Sequence, residues 1–347
     1  MSSCVEGILK EFPEPILKCS PTPHSDGLFT VRDEETSQLL NEDKAMQFHR
    51  TTAQLLFLST RARKDIQTAV SFLTTRVRQP NMDDWEKLKG VLQYLLGTKS
   101  LKLRIQVQDL RVMHWYIDAA HMVHWDCKGQ TGAAMTMGRG AILSYSWKQK
   151  LNTKSSTETE LVGVDDAISN ILWSLYFLQE QGCGTTHAII YQDNKSAILL
   201  ESNGKFSSGK RTKHIKARYF FVADKVADGE VMVKHVSTDK MWADMNTKPK
   251  QGLAYRTDRS YMMNCNVDLG EEQEKVEEVG EDLLEVNAVN VKHRQLEAPP
   301  HPIEHSVIRT SPASDTVRPR VSWAGTQECV GDAKLGGHNG QSRVGDE

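Results

Sequence analysis

Four carboxylates, Asp118, Glu160, Asp193 and Asp244, occupy positions where acidic side chains could do more than face water. Asp118 ends the run "HWYID" and Asp193 ends "HAIIYQD", so two strand-like segments finish on a carboxylate. In mixed α/β sheets, ligands gather outside the carboxyl ends of adjacent parallel strands. Taken singly, each Asp is at least as readily a cap for the segment after it. Glu160 lies in "SSTETELVGVDDAISNILWSLYFL", where helical steps from it reach Val164, Ala167, Ile168 and Ile171, an apolar face. Steps from Glu158 reach Val162, Asp165 and Ser169 on a mostly outward face, and Glu158 pairs with Ser155 as a capping box. A carboxylate at the margin of a buried face is costly unless a cation meets it. Asp244, in "DKMWADMNTKP", belongs to a late helical segment whose plain reading is a surface Asp. Hard oxygen donors without nearby Cys or clustered His favour Mg²⁺ or Mn²⁺ over zinc. Converging carboxylates of this kind can hold two divalent ions for in-line attack on a phosphodiester.

The stretch "GKFSSGKRTKHIKAR" gathers Lys205, Lys210, Arg211, Lys213, His214, Lys216 and Arg218 among glycines and serines. Such a segment can follow a phosphate backbone with salt-sensitive affinity, or serve as a solvated loop and helix start. His235 lies inside a strand pattern and reads as structural rather than as a proton shuttle. Asp126, His121 and His124 follow Asp118 closely and read as turn residues.

These side chains need elements to hold them. From Asp43 to Thr98 the periodicity is helical, with Phe48, Thr52, Leu55 and Leu58 on one stripe and Ile66, Ala69, Val70 and Leu73 on the next. Pro80 breaks the chain, and Asn81 then caps a helix striped by Trp85, Leu88, Val91, Leu92 and Leu95 and ending at Gly97. "LKLRIQVQDL" alternates as a strand or linking hairpin. "RVMHWYID" reads as a strand, "TGAAMTMGRGAILSYSWKQK" as two strands about a turn at Gly138 to Gly140, and residues 156 to 180 as a long helix. Then come strand "HAIIYQD", a helix from Asn194 to about Ser202, a helix across "HIKARYFFVADKVADG", strand "EVMVKHV" and a closing helix from Thr238 to about Thr247. That order describes a mixed sheet with helices on its faces. The resulting division is 1–40 extended or weakly ordered, 41–110 helical, 111–252 α/β, and 253–347 an acidic, Pro- and Ser-rich tail expected to be disordered. One amphipathic helix around Val276 to Val286 is allowed there.

With 347 residues, 39% of them hydrophobic, the chain can build real cores. A formal net charge of −2 argues against a uniformly basic nucleic-acid binder, so charge must be read by segment. The cysteines Cys4, Cys19, Cys127, Cys183, Cys265 and Cys329 are scattered, which suggests neither a zinc site nor a disulfide framework. No apolar run approaching a bilayer span and no leader pattern are evident, so an intracellular, unsecreted protein, cytoplasmic or nuclear, without membrane partners is expected.

"YIDAA", "TKSSTETELVGV", "IIYQDNKSAILL", "GKRTKHIKARYFFV" and "STDKMWADMNTKP" together resemble the ribonuclease H domain of copia-type retrotransposon polyproteins. The stretch "FHRTTAQLLFLSTRARKDIQTAVSFLTTRVRQPNMDDWEKLKGVLQYLLGT" is similar to the thumb- or connection-like segment that follows the polymerase palm in their reverse transcriptases. The resemblance covers roughly residues 30 to 265. It implies a ribonuclease H-like mixed five-stranded sheet with flanking helices, preceded by a small helical subdomain. It further implies that Asp118, Glu160, Asp193 and Asp244 are the D-E-D-D metal ligands for two Mg²⁺ ions. The implied reaction is hydrolysis of the RNA strand in an RNA·DNA hybrid, leaving a 3′-hydroxyl and a 5′-phosphate. Asn194 and Ser196 are candidates for sensing the 2′-hydroxyl. The implied partners are the hybrid itself and the remaining reverse transcriptase and integrase parts of a retroelement.

No Tyr-x-Asp-Asp hairpin occurs, so the polymerase site is not expected in this chain, and Met1 falls where the family's polyprotein would be in mid-course. A truncated or separate copy of an element is therefore expected. Two rival readings stand beside an active nuclease. One is a catalytically silent remnant that only binds nucleic acid. The other, ranked last, is an integrase-type transposase, whose ligands run Asp, Asp, Glu, whereas here Glu160 precedes Asp193.

Overall fold

The computed structural model describes residues 2–32, 36–203 and 216–267, all within one compact unit. Helices α2 (Glu42–Arg61), α3 (Gln67–Thr74) and α4 (Met82–Gly97) form the helical part. Each stripe read from the sequence is the face that disappears from solvent: Phe48, Leu55 and Leu58 on α2, Ala69, Val70 and Leu73 on α3, and Trp85, Leu88 and Leu92 on α4. Asn41 caps α2 by accepting from the Lys44 N–H at 3.0 Å. At α4 the cap is reciprocal: Asn81 accepts from the Asp84 N–H at 2.9 Å, and the Asp84 carboxylate accepts from the Asn81 N–H at 3.0 Å.

Strand β1 (Gln106–Val107) pairs with β4 (Gly138–Arg139) in a short ribbon. The main sheet comprises β2 (Val112–Ala120), β3 (Gln130–Thr136), β5 (Leu143–Lys148), β6 (His187–Gln192) and β7 (Val231–His235) in the order β5-β3-β2-β6-β7. β3 is antiparallel to both β2 and β5, while β6 runs parallel to both β2 and β7. The expected five-stranded mixed sheet with flanking helices is present. Helices α5 (Ser156–Glu180), α6 (Lys195–Asn203) and α7 (Lys216–Ala227) follow the sheet order expected from the sequence.

Alternation along β2 divides the core. Met113, Trp115 and Ile117 join a cluster with Val164, Ile168, Ile171 and Leu175 of α5. Tyr116 points the other way, into the cluster built by the helical part and the segment Met241–Met245. By length and composition α5 could cross a bilayer, contrary to the expectation that no such run exists, although 56% of its most apolar stretch is buried within the fold.

Three local differences from the sequence-based expectation stand out. Ser2–Glu11 is a helix, α1, rather than extended chain. Val5 and Ile8 lie in the core, and Phe12 stacks on Trp85 at 4.9 Å. Only that docking stabilises so short a helix. Past Gly252, where the pattern fades, α8 (Gly252–Met263) buries Tyr255, Met262 and Met263. Its inner face also carries Asp258 and Arg259, which hides its amphipathicity from periodicity. The closing helix is instead two 3₁₀ turns, Thr238–Lys240 and Trp242–Asn246, separated by extended Met241. Its backbone and side chains are claimed by the sheet and α3. Asn246 donates to Ala133 O at 3.1 Å, Ser146 donates to Asn246 O at 2.7 Å, and Thr68 donates to Met245 O at 2.5 Å. The expected helix around Val276 to Val286 lies outside the described residues.

Candidate metal centre

The register of β2 on β6 explains why two distant aspartates meet. Tyr116 is paired with Tyr191, so two residues further along each parallel strand Asp118 comes against Asp193. Asp118 also pairs with Gly132 of β3. A Cβ on Gly132 would lie 2.6 Å from Ala243 O and 2.7 Å from Thr247 Cγ2, so only glycine lets the Trp242–Asn246 turn close over Asp118. On the α5 side, a Cβ on Gly163 would sit 3.2 Å from Ala119 Cβ, a measure of how closely that helix approaches the strand. This approach brings Glu160, in the first turns of α5, to the strand end. Asp118, Glu160 and Asp193 each present an oxygen atom, and these atoms lie within 4.8 Å of one another.

Asp118 and Glu160 are buried, while Asp193 is half-buried. Thr247 donates to Asp118 Oδ2, and Thr238 donates to Asp193 Oδ2 at 2.8 Å. The Ala119 backbone N–H donates to the Glu160 carboxylate, but Glu160 Oε2 is buried with no hydrogen-bond partner. Burial pushes the Asp118 carboxyl up to about 6; Lys248 opposes this, and the charges of Asp244 and Asp193 add to it. Burial, and then the charges of Asp118 and Asp193, raise Glu160 well above the ordinary carboxylate range. Crowded, desolvated carboxylates of this sort hold protons unless a cation replaces them. The oxygen-only donor set and the orphaned Glu160 Oε2 suit a hard divalent ion, so these three residues could hold a metal.

Asp244 lies outside that group of three. It is buried, its Oδ1 meets Lys248 and its Oδ2 meets Lys250 at 2.5 Å, while Lys250 also reaches Asp258 at 2.6 Å. Burial works against its charge, yet the two lysines hold Asp244 below the usual carboxylate range. Lys248 Nζ is also 3.8 Å from Asp118 Oδ2, so a lysine links Asp244 to the centre.

The other candidates take varied places. Of the basic stretch, Lys216 and Arg218 fall within α7, whereas Lys205, Lys210, Arg211, Lys213 and His214 lie outside the described residues. Asn194 Oδ1 accepts from the Ser196 and Ala197 N–H groups at 3.0 and 3.2 Å and so caps α6. His235 ends β7 and pairs with Gln192. His121 Nδ1 is 2.8 Å from Thr159 Oγ1, His124 Nε2 is 2.7 Å from Gln130 Oε1, and Asp126 meets Lys148 at 2.9 Å. Ser155 caps α5 as expected, its Oγ accepting from the Glu158 N–H at 3.3 Å, while the Glu158 carboxylate accepts from the Lys154 N–H at 2.7 Å, one residue before the Ser155 N–H of a full capping box.

Glu201 escaped the sequence reading. It is fully buried on α6 with neither carboxylate oxygen hydrogen-bonded; burial pushes it up to about 8, and its charge is felt at Glu160. The available signal was its place one helical turn after Ala197, on the inner face of "KSAILLESN".

No family model matches the chain. The chain is 35% identical over 196 residues to the retrovirus-related Pol polyprotein from transposon RE2 of Arabidopsis thaliana, covering 56% of this chain and 13% of that protein. It is 33% identical over 195 residues to the corresponding polyprotein from transposon TNT 1-94 of Nicotiana tabacum, covering 56% and 14%. Among solved structures, ribonuclease H1 from the archaeon Halobacterium salinarum overlays 38% of this chain and 90% of its own, at 12% identity and a TM-score of 0.28. The chain thus spans only about an eighth of the length of the Pol polyproteins it matches. Over the matched residues, the chain is a homologue of part of the retrovirus-related Pol polyproteins of transposons.

Proposed function

We propose that this chain is a retrotransposon-derived ribonuclease H that uses divalent ions, Mg²⁺ or Mn²⁺, to hydrolyse the RNA strand of RNA·DNA hybrids. The observation that carries the reading is the meeting of Asp118, Glu160 and Asp193 within 4.8 Å where the parallel pairing of β2 with β6 runs out. The relationship to transposon Pol polyproteins supports it.

A divalent ion held by those carboxylates would lower the pKa of a bound water and offset charge on a phosphodiester. Asp118 and Glu160 supply buried, water-excluded donors; Thr247 fixes the orientation of Asp118 and Thr238 that of Asp193. If two ions bind, Asp244 would be the residue that joins Asp118 in holding the second. The basic stretch around Lys210 to Arg218 follows the phosphate backbone and makes binding salt-sensitive. The polymerase palm, and the integrase that would work beside this domain, are supplied by other polypeptide segments. The setting is intracellular.

The test is cleavage of a labelled RNA·DNA hybrid by the purified chain with Mg²⁺, beside Asp193→Asn. Wild-type protein should cleave only the RNA strand, and the variant should lose at least about a hundredfold in rate, as expected when a group stabilising transition-state charge is removed. Salt-sensitive binding without cleavage under any divalent ion would identify a silent nucleic-acid-binding remnant instead.

A further inference from the structure

We infer that Lys248 is a tethered cation occupying the position of a second divalent ion, so that the centre takes one ion readily and a second only when Lys248 is displaced. The inference rests on the proposed metal centre and concerns how many ions it holds.

Lys248 Nζ stands between two carboxylates, touching Asp244 Oδ1 and lying 3.8 Å from Asp118 Oδ2. A second ion shared by Asp118 and Asp244 would need that same space between their oxygens. The first position is different. Glu160 Oε2 is buried, unpartnered and part of the three-carboxylate group; among the described residues the Lys248 ammonium forms its ion pairs with Asp244 and Asp118, and its charge is felt only at longer range by Asp193.

The two lysines on Asp244 are not equivalent. Lys250 is 20% exposed and locked between Asp244 and Asp258, both buried, so it belongs to the packing that anchors α8. Lys248 has 44% of its side chain exposed and a long flexible stem, so its ammonium group can leave towards solvent. A second ion placed between Asp118 and Asp244 would sit against the ammonium of Lys248 and be repelled by it. A phosphodiester approaching the centre would draw that ammonium outward, which couples entry of the second ion to substrate binding.

Mn²⁺ binding to the full chain, counted by electron paramagnetic resonance of the free ion and by calorimetry at one pH, tests this directly. Wild-type protein should take up one equivalent with a second at least tenfold weaker. Lys248→Met should tighten the second equivalent by tenfold or more and leave the first unchanged, whereas Lys248→Arg should behave as wild type. Lys250→Met should not reproduce the gain. Lys248→Gln serves as a second neutral variant if methionine disturbs folding, as judged by circular dichroism. Unchanged affinity for the second ion in both neutral variants overturns the role of Lys248 while leaving the first site intact. Failure of any protein to bind Mn²⁺ overturns both this inference and the metal centre beneath it.

Discussion

Buried carboxyls without partners carry the consequences at the residue scale. Glu201 has no hydrogen bond to either oxygen, and burial holds its proton on up to about 8 against an ordinary value of 4.5. The folded state therefore binds a proton that the unfolded state has released, and stability should fall as pH rises from about 4.5 to about 8. Glu201→Gln should flatten that decline, with a gain at pH 8 on the order of a few kcal/mol. Urea denaturation of both proteins at pH 5 and pH 8, without divalent ions, measures it; equal slopes with pH would reject the assignment. Residue identities were partly legible. Asp118 and Asp193 announced themselves by ending apolar runs, and Glu160 by its place on the buried stripe of α5. Glu201 did not, because one acidic residue in a short helix looks like any solvated side chain until the tertiary fold covers it.

At the scale of elements, the centre depends on how closely three backbones approach. Gly132 faces Asp118 across the β2–β3 ladder, and the Trp242–Asn246 turn rests on the space its missing side chain leaves. Gly132→Ala places a methyl group against Ala243 O and Thr247, so the turn must lift. The expected cost is about 1–3 kcal/mol, typical of forcing extra atoms into a packed core. Because Thr247 is the donor to Asp118 and Asp244 lies on that turn, divalent-ion affinity should fall with stability. Thermal denaturation with and without Mn²⁺ reads both. A fully stable variant with normal ion binding would show that the turn does not need the glycine. The strands and long helices were readable because period-2 and period-3.6 patterns leave repeated marks. The 3₁₀ turns were not, since a five-residue segment has too few positions to separate a helix from a turn held by tertiary hydrogen bonds.

Over the whole molecule, a buried polar network ties the helical part to α8. Arg63 donates to Asp65 at 2.7 Å, Tyr94 donates to Asp65 Oδ2 at 2.6 Å, and Tyr255 of α8 donates to Asp65 O at 3.0 Å. Burial opposes the Asp65 charge, yet Arg63 holds its carboxyl below the usual range. That stabilisation is present above the ordinary carboxylate pKa and is lost as pH falls through the depressed one. Asp65→Asn leaves the Arg63 guanidinium buried without its counter-charge, which should cost about 3–5 kcal/mol at neutral pH. Chemical denaturation at pH 7 checks the value, and a loss below about 1 kcal/mol would show that the pair is not what secures α8, the limit expected of an exposed ion pair.

By itself the sequence determined the alternation of β2, the apolar stripes of α2, α4 and α5, and the carboxylate that follows β6, because these follow from local periodicity and from where apolar runs stop, whereas β2 continues two residues past Asp118, to Ala120, through its pairing with β3. Only the tertiary structure decided that α1 and α8 are helices of the core, since each is too short or too mixed in polarity to signal itself without the surface it docks on. It also decided the company each acid keeps. Asp118, Glu160 and Asp193 converge through strand register and a glycine-close helix, while Asp244 is drawn to two lysines of its own segment. Which oxygen meets a metal and which meets an ammonium depends on distances of a few ångströms between elements far apart in the chain, and local pattern holds no record of them.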